Sequence, residues 1–451
     1  SFFFNFIDSN NFLDYSNTIK LLSVGISLIT IPAVFLLSRK FFDARYSLIA
    51  TCLFAFEPHL NRWSTFGFTE PIFILTMIGS FYFALSKDQR LIYFSFILAG
   101  LMFWLRLNGF VMFFVLTVIL LIYYRKVPHI GRKYLICIFI FALIISPIFI
   151  QRNEQFGDPL YFYYGENLFV ESYDDLETEN TQNMDTSISG FIEEHGTLEF
   201  LNIFVLQGIY NIADVLSKTS FPYFIILIPF GLMFSLRAFE MEKKYIRSNW
   251  ILVLVYLAFL IIPFAIINEK RFLFPLFPFF AIFATIPILR VTEFGLSTFG
   301  FSRRNKDIFL IIVIGLVILL SIFFSLRYDA PDAQLEKEKI RFSEMLVYDF
   351  NGKFIETGYN TLYLPNVNLE ANSKSLKSLK LSLITGDPEY QNHKIGAYNT
   401  ELSADSLLEL IEMSKTYDIS YLVIGKENVV HYSFLIDVYN NEEKYPYLVK
   451  V

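Results

Sequence analysis

Ten apolar runs, each of 10 to 19 residues, divide the first three quarters of the chain. A hydrocarbon core about 30 Å thick takes roughly 20 apolar residues as a helix, and backbone in lipid must satisfy its own hydrogen bonds. The runs lie at 21–38, 47–56, 71–85, 91–105, 109–124, 134–150, 221–236, 249–267, 272–289 and 308–326. Three of them, 47–56, 71–85 and 91–105, are short for a lone span, so protein or polar flanks must shelter their ends. The chain is expected to be an α-helical multi-pass membrane protein of about ten transmembrane helices.

Charge placement gives these helices a direction, because short cytoplasmic loops collect Lys and Arg. Alternate connections carry Arg39, Lys40 and Arg45; Lys87 and Arg90; Arg125, Lys126, Arg132 and Lys133; Arg237, Lys243, Lys244 and Arg247; then Arg290, Arg303, Arg304 and Lys306. The short connections on the other side hold only Arg62, Arg106, Lys270 and Arg271. The alternation persists through all ten runs. It puts residues 1–20, the loop 151–220 and everything after Arg327 outside the cytoplasmic membrane.

The composition agrees: 54% of residues are hydrophobic and 18% charged, against about 25% charged in a soluble domain. An ordinary soluble globule and a disordered chain are excluded, and with a net charge of −6 no basic field marks a nucleic-acid partner. Cys52 and Cys137 both sit in apolar runs and have neither a disulfide framework nor metal-ligand spacing.

The charge and hydropathy pattern predicts five regions. Residues 1–20 are an outer or interfacial segment, 21–150 hold helices 1–6, 151–220 are an acidic outer loop, 221–327 hold helices 7–10, and 328–451 form a small C-terminal α/β extracytoplasmic domain. The outer loop has twelve acidic residues and one basic residue between Gln151 and Phe200. Within it, 158–165 is aromatic enough for the membrane interface, 171–185 reads as flexible, and 198–215 has the period of an interfacial helix. In the last region 361–364, 381–384 and 419–424 read as strands. Residues 403–415 read as a helix capped by Ser403, which suggests a partly parallel sheet.

No Gly-rich phosphate loop, His-Glu-x-x-His, Cys/His cluster or Gly-x-Ser-x-Gly is present. The chemistry-bearing residues lie on the outer face: Glu57, His59 and Arg62 after the second run, Glu70 at the head of the third, Arg106 after the fourth, and Glu269, Lys270 and Arg271 before the ninth. Carboxylates can accept a proton, and guanidinium or ammonium groups can hold a phosphate. Each also has a plainer reading. Glu70 would favour a helix N-terminus, Arg106 would snorkel, and Lys270 and Arg271 would anchor the interface.

The run Phe54-Ala-Phe-Glu-Pro58, with Trp63-Ser64, Thr69-Glu70-Pro71, Arg106-x-x-Gly109 and Lys270-Arg271-Phe-Leu-Phe-Pro275, resembles the integral membrane glycosyltransferases of the GT-C class. These include the dolichyl-phosphate-mannose protein mannosyltransferases and the aminoarabinose transferases of lipid A. The likeness is greatest to archaeal members with a small outer C-terminal domain. It implies inverting transfer, on the outer face, of a sugar from a polyprenyl-phosphate donor to a protein, lipid or glycan acceptor, with no metal or other cofactor expected.

On this resemblance the donor phosphate meets Arg62, Arg106, Lys270 and Arg271, and the acceptor or sugar meets Glu57, His59 and Glu269. The catalytic carboxylates are Glu70 and Asp14. The family's base is an Asp in a first outer loop after a first membrane helix. The sequence from Ser1 reads as a fragment that enters within or after that loop, so the family's base is expected either in the part before Ser1 or at Asp14, the nearest candidate, with Asp8 before it. Asn108 and Asn268 or Glu269 stand where family members often have acids. A transporter or flippase of lipid-linked sugars, and a non-catalytic scaffold, are the competing classes. Transporters put ionisable groups near the midplane on broken helices, whereas here they cluster at helix ends.

Overall fold

The computed structural model describes residues 12–123, 128–157, 188–236, 243–267, 269–326, 352–356, 380–384, 406–416, 419–423 and 433–449, with positions 159, 169, 337, 338 and 341. Asp8, Asn268, Ser403 and the stretches 171–185 and 361–364 lie outside these residues, as does most of 158–165. The chain divides into two compact units, one of Ser16–Glu171 and Thr186–Tyr328 and the other of Ser1–Tyr15, Ser172–Asp185 and Asp329–Val451.

The larger unit is helical. Its helices are α1 (Phe12–Ser38), α2 (Ala44–Ala55), α3 (Pro58–Ser64), α4 (Glu70–Ala84), α5 (Leu91–Leu105), α6 (Phe110–Tyr123), α7 (Ile130–Phe156), α8 (Ile188–His195), α9 (Thr197–Thr219), α10 (Phe224–Ser235), α11 (Lys243–Ile266), α12 (Phe277–Arg290) and α13 (Arg303–Ser325). Among the described residues, six segments are long and apolar enough to cross a membrane: Ser16–Ser38, Ile130–Gln155, Thr197–Thr219, Lys244–Ile266, Lys270–Thr298 and Arg303–Ser325. Five shorter apolar helices accompany them: Ala44–Ala55, Glu70–Ala84, Leu91–Leu105, Leu107–Tyr123 and Phe224–Ser235. The protein is multi-pass.

Each of the ten apolar runs falls on one of these eleven segments. The additional one is Thr197–Thr219, where an interfacial helix is expected at 198–215. It is long and apolar enough to span, and it packs on α11 so closely that a Cβ on Gly208 would strike the Ile261 carbonyl. Asn211 Nδ2 donates to the Phe264 carbonyl at 2.8 Å. Helix α1 starts at Phe12 rather than 21, so residues 12–20 of the expected outer or interfacial segment are helical. Hydropathy marks where a helix becomes apolar, whereas its hydrogen bonds continue through polar turns.

The core is built around α12. Its residues from Phe277 to Ile288 are buried without interruption. It packs against α2 and α10, where Gly231 of α10 lies against the Phe283 carbonyl. At the Ala44 end of α2, a polar network joins α2, the end of α12 and the start of α13. Tyr46 OH donates to Glu293 Oε1 at 2.6 Å, Lys306 Nζ to Glu293 Oε2 at 2.9 Å, and Arg45 Nη1 to Asp307 Oδ1 at 3.1 Å. Asp43 caps α2 by accepting from Tyr46 N at 3.1 Å. Nearby, burial and then the charge of Lys87 lower the Lys40 ammonium below its ordinary value.

In the smaller unit, β1 (Gly352–Glu356), β2 (Lys380–Ile384) and β3 (Ile419–Val423) form a sheet in the order β2-β1-β3. β1 pairs antiparallel with β2 and parallel with β3. β2 and β3 occupy two of the expected strand positions, and β1 was not foreseen. The helix expected at 403–415 is α14 (Leu407–Thr416), with Ser406 rather than Ser403 near its start, accepting from Glu409 N at 3.3 Å. A further helix, α15 (Ser433–Asn440), follows.

Candidate active site

The break between α5 and α6 sets the first half of the site. Arg106 leaves the helix in an extended conformation (φ −157°, ψ 143°), and Leu107–Gly109 form a single 3-10 turn before α6. Gly109 sits so close to the Met102 carbonyl that any Cβ would collide with backbone. This tight reversal carries Arg106 to the first residue of α4, where its Nη1 donates to Glu70 Oε1 at 2.6 Å.

Glu70 is 3% exposed. Its position ahead of Pro71 gives the carboxylate the favourable end of the helix dipole. Its second oxygen, Oε2, is buried and has no hydrogen-bond partner. Asn108 Nδ2 donates to Tyr256 OH of α11 at 3.2 Å, and Asn108 Oδ1 is likewise unpartnered. Glu70, Arg106, Asn108 and Tyr256 are thus a polar cluster gathered from three parts of the helical body. Two of its acceptors are unused, and orphan acceptors in a buried place are costly unless something binds them.

The second half is the 3-10 stretch Lys270–Leu276. Its side chains go to different neighbours. Arg271 Nε donates to Glu269 Oε2 at 3.1 Å, and the guanidinium lies over the rings of Phe68 (5.1 Å) and Trp63 (5.5 Å). Phe272 lies under the Arg106 guanidinium at 5.4 Å. Phe274 meets Trp63 edge-on at 5.8 Å. Lys270 is exposed. Glu70 of the first half and Phe274 of the second both line a cavity of about 280 Å³, together with Asn61, Trp63, Ser64 and Thr65.

The structure therefore brings Glu70 together with Arg106, and Glu269 with Arg271. It sets Glu57, His59 and Arg62 to other places. Glu57 is 1% exposed and N-caps α3, its Oε2 accepting from Leu60 N at 2.6 Å and its Oε1 meeting His59 Nδ1 at 3.0 Å. Both residues, expected at the acceptor or sugar, are packed inside. Arg62 is an exposed residue of α3 and does not line the cavity. Asp14 is in α1, with its side chain outside the described residues.

Glu57→Ala is expected to cost about 1–2 kcal/mol in thermal unfolding while leaving turnover per folded molecule unchanged. Lost turnover at full stability would return Glu57 to the site. Trp63 and Tyr256 are the residues the sequence reading did not assign. Trp63 stands within the motif run and could have been chosen, whereas Tyr256 is one ring inside an apolar helix and gives no signal.

This arrangement of helices is a fold shared with solved membrane oligosaccharyltransferases. Residues 12–150, under a third of the chain, match the family described as dolichyl-phosphate-mannose-protein mannosyltransferase. The Archaeoglobus fulgidus oligosaccharyltransferase, crystallised with Zn and sulfate, is similar over 90% of this chain and 56% of its own, at 14% identity and a TM-score of 0.52. The oligosaccharyltransferase AglB of the same organism, in complex with an inhibitory peptide and a dolichol-phosphate, covers 90% and 58% at 12% identity and a TM-score of 0.51. ArnT from Cupriavidus metallidurans bound to undecaprenyl phosphate covers 73% and 58% at 12% identity and a TM-score of 0.41. The chain spans just over half the length of these proteins. No curated protein sequence matches it.

Proposed function

We propose that the protein is a glycosyltransferase that moves a sugar from a polyprenyl-phosphate carrier to an acceptor hydroxyl on the outer face of the cytoplasmic membrane. The observation that carries the reading is Glu70 Oε2: a carboxylate oxygen buried, unpartnered and fixed by Arg106 through its twin. As the acceptor oxygen attacks the anomeric carbon, Glu70 Oε2 takes its proton, and the bond from that carbon to the phosphate oxygen breaks. The phosphate leaves with the electron pair, and its growing charge meets Arg271 and Lys270. No divalent ion enters this reading.

The geometry divides the cations differently from the sequence reading. In this reading Arg106, paired with Glu70, orients the base, and the phosphate role is given to Arg271 and Lys270. Arg62, exposed on α3, is given no role in this reading, and Glu70 is given the base role that the sequence reading assigns to Asp14. The family match over 12–150 supports the reading, as does the fold shared with an oligosaccharyltransferase that holds dolichol-phosphate.

The full-length protein, reconstituted with a polyprenyl-phosphate sugar, is expected to release free polyprenyl phosphate. Arg271→Ala should slow the release about 100-fold, the scale for one lost transition-state donor. Unchanged release in that variant would remove Arg271 from the phosphate site. Transbilayer movement of the intact lipid-linked sugar with no release would replace the transferase by the transporter.

A further inference from the structure

The cavity beside Trp63 has an uneven chemistry. One wall is mostly apolar, made by Val24, Leu28 and Ile31 of α1 with Ile74 of α4; Ser27 and Thr30 of α1 also line it, their hydroxyls donating to the Ser23 and Ile26 carbonyls at 3.0 and 2.8 Å. Leu28 is itself 62% exposed, so the cavity opens at the side of the helical body, where an apolar chain could enter from lipid. The other end is polar, with Asn61, Ser64, Thr65 and Glu70 around the Trp63 ring. Ser64 Oγ and Thr65 Oγ1 already donate to the carbonyls of Asn61 and Arg62, at 2.8 and 2.7 Å. Their oxygens are left to accept. Glu70 Oε2 also only accepts. The polar end therefore offers mostly acceptors, with the Asn61 amide and the Trp63 indole N–H as donors, a mixture that suits hydroxyl groups.

Charge selects further. Among the described residues, Glu70 is the one ionisable side chain in the lining, with no Lys, Arg or His there. A phosphate inside would sit against a carboxylate with no cation in the wall, which like-charge repulsion in a low-dielectric place disfavours. The cations belong to the neighbouring feature, where Arg271 lies over the same Trp63 ring. About 280 Å³ is at the small end for ligand sites and suits one ring, not an oligosaccharide.

We propose that the Trp63 cavity is the acceptor subsite, and that the acceptor is a neutral, hydroxyl-bearing amphiphile: a single sugar or similar polyol head on a hydrocarbon chain. The head lies by Trp63 and donates a hydroxyl to Glu70 Oε2, and the chain runs along α1. Trp63 then stands between an acceptor on the cavity side and a donor phosphate at Arg271. The word acceptor rests on the transferase reading. The neutral amphiphile rests on the cavity alone.

The test is binding to the full-length protein in nanodiscs, followed by the fluorescence of Trp63 after Trp104→Phe and Trp250→Phe. Decyl glucoside is expected to give a saturable change at least about tenfold tighter than decanol or decyl phosphate. Glu70→Gln should narrow the discrimination against decyl phosphate, an effect that a purely structural Glu70 would not have. Equal or tighter binding of decyl phosphate, or no saturable change, overturns the subsite. Donor turnover without decyl glucoside binding sinks the subsite and leaves the transferase, whereas binding without any turnover does the reverse.

Discussion

Replacing Arg106 with Ala is expected to destabilise the protein by about 3–5 kcal/mol, because it leaves the Glu70 carboxylate buried with no partner on either oxygen. The double variant Glu70→Gln/Arg106→Met should recover much of that loss, since removing both charges leaves no uncompensated ion. Glu70→Gln alone should reduce sugar transfer about 100- to 10,000-fold, the range for a lost general base, while donor binding persists. Thermal unfolding in nanodiscs separates the first pair, and polyprenyl phosphate release reads the last. A folded Arg106→Ala protein of native stability would show that the pair does not hold the α5–α6 turn to α4.

The second large effect concerns packing alone. Gly231→Ala puts a methyl into the Phe283 carbonyl, which belongs to a helix buried on all sides and has nowhere to move. A loss of about 1–3 kcal/mol or more follows. The same change at Gly315 of α13, where nothing lies within 4 Å, should instead stabilise by about 0.5–1 kcal/mol through helix propensity. Opposite signs for one chemical change would show that α10 and α12 meet at backbone contact. Equal effects at the two positions would show that they do not.

Much of the helical body can be read from the sequence, since long apolar runs have few other ways to fold. Most of the run 272–289 falls on α12 and nearly all of the run 308–326 on α13. The ends are less legible, because Asp14, Asn17 and Lys20 continue α1 without being apolar. Helix α3 escapes a hydropathy reading at seven residues, although Glu57 three places before Leu60, with Pro58 at its first position, is a capping signal. Thr197–Thr219 is a case of another kind. Its period suggested a helix lying on the interface, and its length allows it to cross.

The site is legible as a set of residues but not as a set of tasks. Charge alternation gathers Glu70, Arg106 and Arg271 at one end of the bundle. It cannot show that Glu70 engages Arg106 across 36 positions, or that Trp63 lies beside Arg271. Those pairings come from two reversals of the chain, the Arg106–Gly109 turn and the stretch Lys270–Leu276, whose geometry no periodicity encodes.

Helix α12 has one more consequence. Helices that touch lipid adjust their tilt when bilayer thickness changes. With Phe277 to Ile288 enclosed by protein, α12 is insulated from that adjustment. The residues on its leading end, Arg271 among them, would keep their depth as the surrounding membrane thins or thickens, so the chemistry is expected to be indifferent to acyl-chain length even where the outer helices are not.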